Sequence, residues 1–125
     1  MIDVRELRRV VMDRLIDQVP ALVGRVYDKA VEGTAYPYAS LGPSYGTAAS
    51  VECIRARNVT LQIDIWDDTN KGVVEDIVSA VDMALDGWRA PDRLTSGPVR
   101  VSLIRVMDDA TAVHGVVQIE AGVEG

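Results

Sequence analysis

The sequence predicts an α+β fold: a mainly antiparallel sheet with two principal helices packed on one face, in the order α-β-β-β-α-β-β. Three observations carry this prediction. The run Asn58 to Asp67 alternates strictly, with Val59, Leu61, Ile63 and Ile65 on one side and Thr60, Gln62, Asp64 and Trp66 on the other. That period of two belongs to a half-buried strand. Two other runs repeat apolar residues every three to four positions, the period of a helix with one buried face. Near the end, Val99 to Met107 and Thr111 to Val123 are separated only by Asp108, Asp109 and Ala110, the form of an antiparallel hairpin.

In chain order, Asp3 followed by Glu6 imitates a capping box and places acids where a helix dipole favours them. Leu7, Val10, Val11, Leu15 and Val19 then share one helical face, until Pro20 ends the helix because its ring cannot follow another helical turn. Gly24 to Asp28 reads as a short strand, and Tyr36 to Gly42 as a second. Pro37 has no N–H for a ladder, so that second strand lies at an edge or begins near the proline. Residues 43–57 form the least periodic stretch, rich in Gly, Ser, Ala and Thr; they are expected as a projecting loop or loose hairpin. After the alternating strand, Asp67, Asp68, Thr69 and Asn70 offer caps for a helix with Val74, Ile77, Val78, Val81 and Leu85 on its inner face. Gly87 suits its left-handed C-terminal cap. Trp88 to Pro98 connects to the closing strands, the first of which changes apolar phase between Leu103 and Ile104. A bulge there, or cover on both faces, accounts for the change.

At 125 residues one domain spanning 1–125 is the expectation, since two would each bury too little core. No apolar run approaches the roughly eighteen residues of a membrane span. The first helix lacks the apolar region of a secretory signal, so synthesis in the cytoplasm is expected. Nineteen acids against thirteen Lys and Arg give a net charge of −6, which argues against tight sequence-independent binding of nucleic acid over the whole surface. With one Cys and one His, an internal disulfide is impossible and a structural zinc site cannot be built from these residues alone. There is no Phe; the aromatics are four Tyr and two Trp, which bury an apolar body while keeping a polar handle.

Catalytic equipment is sparse. His114 lies within the last strand with no second His, and nothing in the spacing brings Cys53 or a Ser to it; a strand-face histidine hydrogen-bonded to a neighbour is the simpler reading. Asp64, Asp67 and Asp68 offer hard oxygen ligands at a strand end, yet the latter two are already explained as helix-start acids. Neither glycine-rich phosphate motif occurs. Arg5, Arg8, Arg9 and Arg14 read as a solvated helix face balanced by Glu6, Asp13 and Asp17. Arg55 and Arg57 close the irregular stretch and are placed for bidentate pairing with carboxylates of another subunit.

Taken in order, the N-terminal helix, Arg25-Val26-Tyr27-Asp28, Tyr36-Pro37-Tyr38 with Leu41-Gly42, the strand ending Ile65-Trp66, the helix ending Ala84-Leu85 and the closing strand with His114-Gly115 resemble the tail-completion, or tail-terminator, family of long-tailed phages and gene transfer agents. The resemblance implies a minor tail protein, not an enzyme and without cofactor. Assembled in the host cytoplasm, it would form a ring, of six copies, at the head-proximal end of the tail tube in the virion. Its implied partners are further copies of itself, the tail tube protein and a head connector or stopper, with DNA passing the lumen unbound and no membrane. Under this reading the subunit or tube interface draws on Tyr38, Tyr45, Arg55, Arg57, Asp64 and Trp66, and either the strand at Pro37 or the final strand pairs across subunits. Two other readings stand beside it: a head-completion or neck connector protein of similar fold, and a small metal-dependent enzyme using the acids near Asp64.

Overall fold

The computed structural model describes residues 2–125. Helix α1 spans Val4–Gln18 and starts where the sequence placed it: the Asp3 side chain accepts the Glu6 N–H at 3.0 Å. Leu7, Val10, Val11 and Leu15 are its buried residues. A 3-10 turn at Pro20–Leu22 then leads through Val23 and Gly24, both at positive φ, into strand β1, Val26–Tyr27. Strand β2 spans Tyr38–Ala48, β3 Ala56–Asp67, helix α2 Lys71–Leu85, β4 Arg100–Asp108 and β5 Val113–Glu124. Asn70 caps α2 by accepting from the Val73 N–H at 3.2 Å. Gly87, at φ +80°, turns the chain out of the helix.

The five strands form one sheet in the order β1-β2-β3-β5-β4. Only the two-residue β1 pairs in parallel, with Ala39 and Ser40 of β2; the other three pairings are antiparallel. Both helices lie on one face, where Leu7, Leu15, Ile77, Val81 and Leu85 meet Val59, Leu61, Ile63, Ile65, Val117 and Ile119 in a single apolar core. Gly115 allows the closest approach: a Cβ there would come within 2.7 Å of both Val74 Cγ1 and Val78 Cγ2.

Three sequence expectations change here. The strand after Pro37 begins at Tyr38 but runs well past Gly42, so residues 43–48 are strand and only 49–55 form the turn of a long β2-β3 hairpin. None of the residues 43–48 is buried; five residues of β3, Arg57 to Leu61, hold that end of β2 by pairing, where apolar alternation gives no signal. The phase change in β4 is a bulge, one step earlier than expected, between Val101 and Leu103. The final strand is not an edge: β5 lies between β3 and β4, and its near-continuous apolar run suits a central strand. Among the described residues the edges belong to β4 on one side and to β1 and the outer part of β2 on the other.

Candidate functional site

The sheet face turned away from the helices carries side chains in rows that run across the strands. Tyr38, Trp66, His114 and Met107 are register partners across β2, β3, β5 and β4; the next row is Ser40, Asp64, Val116 and Arg105. Further along come Gln62, Gln118 and Leu103, then Tyr45, Thr60, Glu120 and Arg100. These are the even positions of β3, which the alternation had already set opposite the core.

The first row is aromatic. The His114 ring stacks on Trp66 with centroids 3.9 Å apart and planes within 6°, and Tyr38 lies against Tyr36 at 5.7 Å and Tyr27 at 6.2 Å. Partial burial, followed by the neighbouring Tyr36, raises the Tyr38 phenol above its ordinary pKa. Beneath this row is a polar cluster. The His114 Nε2–H donates to Asp64 Oδ1 at 2.7 Å, and the Gln62 amide donates to the same oxygen at 2.8 Å. Gln118 reaches Gln62 at 3.4 Å. Gly42 leaves room for the other carboxylate oxygen, because a Cβ at that position would sit 2.6 Å from Asp64 Oδ2. These hydrogen bonds link the four side chains across β3 and β5 and hold them against the sheet.

Of the six residues singled out from sequence, Tyr38, Asp64 and Trp66 come together here, and Tyr45 stands 60% exposed farther down the same face. Arg55 and Arg57 do not join them. Arg57 Nη1 donates to Ser50 Oγ and to the Ala56 carbonyl, tying the base of the hairpin turn, while the Arg55 carbonyl accepts the Gly125 N–H. His114, Gln62 and Gln118 complete the cluster; a hydrogen-bonded neighbour for His114 is expected from its place on a strand face, but not its identity, since Asp64 is fifty positions away. Asp64 and Asp67 turn to opposite faces of β3, and Asp67 caps the turn before α2 by accepting from Asn70 N at 3.2 Å. Among the described residues no group of three or more His, Cys, Asp or Glu is arranged to hold a metal ion.

Three arginines of α1, Arg8, Arg9 and Arg14, are engaged within the fold. Arg9 pairs with Glu6 and Asp13, and this pairing lowers the Glu6 pKa and raises that of Arg9. Arg8 holds Asp28 at 2.7 Å and donates to the Gly42 carbonyl at 3.1 Å. Arg14 donates to the Ala84 carbonyl and lies 5.4 Å from the Trp88 ring centroid, fastening α1 to the end of α2. A 580 Å³ hollow beside Arg5, Arg8 and Arg9 also contains Asp3, Glu6 and Asp28, so its charges largely cancel.

Comparison with known proteins gives a consistent picture. The family model of tail completion protein gp17 matches residues 9–124. Among solved structures, the chain is similar to one in the virion of a native gene transfer agent (GTA) particle: identity is 25%, 95% of each chain is covered and the TM-score is 0.82. It also shares the fold of the bacteriophage SPP1 gp17 protein, at 20% identity, with 95% of this chain and 89% of that one covered and a TM-score of 0.64. No curated protein matches significantly.

Proposed function

Because the chain belongs to the tail completion protein gp17 family of structural phage tail proteins, we propose that it is a tail terminator. On this reading it closes as a ring, of six copies, on the head-proximal end of the tail tube. There it stops further addition of tube protein and offers its other face to the head connector or stopper. The observation that carries the reading is the family match over nearly the whole chain, 9–124, joined to a fold shared along its length with a GTA virion chain.

The geometry favours one orientation in the ring. A ring needs one heterologous interface that closes by rotation and two unlike ends. The helices, with their charged outer residues, face outward; the flat row-built sheet face turns toward the lumen. On that face Asp64 and Glu120 are offset by Arg105 and Arg100, so it offers passing DNA no basic groove, and the net charge of −6 discourages phosphate binding elsewhere. The turn of the β2-β3 hairpin, 49–55, exposes Val51 and Ile54 at 62% and 48%. That apolar tip is suited to contact with the tube or the next subunit. Tyr38, Tyr45, Asp64 and Trp66 then belong to the lumen side, while Arg55 and Arg57 act at the hairpin. Replacement of both arginines by alanine with no change in ring formation or tail length removes them from the interface.

The test is electron microscopy of particles made without this protein. Overlong or headless tails are the expected outcome. Tails of normal length that merely fail to join heads would place the chain on the head side of the neck instead, and normal particles would overturn the proposal.

A further inference from the structure

We infer that successive copies join by antiparallel pairing of the outer edge of β4, Leu103 to Asp108, with the outer edge of β2, Ser44 to Ala48, of the next copy. This rests on the ring reading above and specifies its interface.

The two stretches are what remain after the fold has covered the rest of its own edges. At the start of β4, Asp86 Oδ1 accepts the Val101 N–H at 3.0 Å, while Gly87 and Trp88 exchange hydrogen bonds of 2.7 Å with Val99. On the other side, β1 pairs with Ala39 and Ser40, and Arg8 takes the Gly42 carbonyl. Beyond those caps, alternate residues of each strand turn their N–H and C=O groups outward. Unpaired edges of this kind invite another strand. Neither stretch is shielded by charge alone: Leu103 and Ile104 are 41% and 46% exposed, and Tyr45 is 60% exposed.

Polarity and position both fit a ring. The antiparallel pairings β2-β3, β3-β5 and β5-β4 make β4 run opposite to β2. Rotation about a ring axis preserves direction, so β4 of one copy meets β2 of the next antiparallel. Through the registers, Leu103 to Asp108 stand level with the upper part of β2, near Tyr38 to Leu41, whereas Ser44 to Ala48 are level with Leu61 to Arg57 of β3. Pairing the two free stretches therefore shifts each copy along the strand by five to six residues, roughly 19 Å. Crossing from β2 to the next β2 takes four strand spacings, also roughly 19 Å. Equal steps along and across mean strands tilted about 45° to the ring axis, at the upper end of the usual tilt of a closed sheet. Tyr45 of one copy then faces Met107 of its neighbour on the inner face, with Thr47 beside Arg105, and Ile104 meets the small residue Ala48 on the outer face, pairings of the kind that stabilise adjacent strands.

The experiment uses the full chain with Cys53 replaced by Ser. Into this are introduced Met107→Cys with Tyr45→Cys, or Ile104→Cys with Ala48→Cys, followed by a short bis-maleimide. The double variants should give a ladder of covalent oligomers ending at the closed ring, and the four single variants none. In the unmutated protein, amides of 103–108 and 44–48 should exchange at least about tenfold more slowly in the ring than in the free subunit. Rings that form without cross-linking of the double variants and without that protection overturn the edge pairing while leaving the ring reading intact. Ladders from single variants also overturn it, since they mean like edges meet. Absence of rings, both alone and on purified tail tubes, overturns the ring reading and the edge pairing with it.

Discussion

Asp64 illustrates how tightly the open face is specified at the scale of single residues. The residue is 9% exposed, and its carboxylate receives hydrogen bonds from His114 and Gln62 and fills the space beside Gly42. Gly42→Ala would drive a methyl group into Oδ2 and push the carboxylate off its partners. A loss of about 1–3 kcal/mol is expected for such overpacking, read from the urea midpoint at unchanged slope; an unchanged midpoint would mean that Asp64 has room to move. Tyr38 gives a second test. Its pKa is raised in the folded protein by burial and then by Tyr36, so the folded state holds the phenolic proton more tightly than the unfolded chain. The resulting stability is fully present below the unfolded value of about 10 and is lost as pH rises through the higher folded value. In an ultraviolet titration of the folded protein Tyr38→Phe should remove a tyrosine that ionises above the ordinary value, and that variant should lose less stability between neutral and alkaline pH. An unchanged titration curve would contradict the assignment.

Between elements, the contact that decides the packing of α2 is its approach to Gly115. Gly115→Ala places a methyl group 2.7 Å from both Val74 and Val78, two β-branched side chains with few alternative rotamers. The helix must shift, and a cost of about 1–3 kcal/mol is expected. Thermal unfolding with a midpoint equal to wild type would show that α2 is not seated there. Much of this level was legible in the sequence, because the two helices and β3 announce themselves by burial period and by caps at Asp3 and Asn70. What was not legible depends on partners distant in the chain. Residues 43–48 are strand only because β3 pairs with them, and Pro43, Gly46 and Ala48 carry no strand pattern of their own. The insertion of β5 between β3 and β4 follows from the crossover through α2, which the short turn before β5 does not reveal. The apolar run Val116, Val117, Ile119, Ala121, Val123 was the available signal for a central strand. Likewise the candidate site was read in part: alternation put Asp64 and Trp66 on one face, while their His114 partner required knowledge of register.

At the scale of the whole molecule, an acidic chain devotes its chemistry to surfaces. Asp64, His114, Gln62 and Gln118 are joined by hydrogen bonds across the sheet, Arg8, Arg9 and Arg14 of α1 are engaged within the fold, and Tyr45, Leu103 and Ile104 at strand edges and Val51 and Ile54 at a hairpin tip are among its exposed apolar groups. Groups so engaged are poor candidates for bond-making and good ones for a fixed shape that copies itself around an axis. The central claim is that this shape ends a tail tube. The most direct measurement is electron microscopy of tubes growing from purified tube protein with and without this chain. The account predicts that tubes formed in its presence stop elongating and carry a ring at one end only. Continued growth at the same rate, with no density bound at either end, would contradict it.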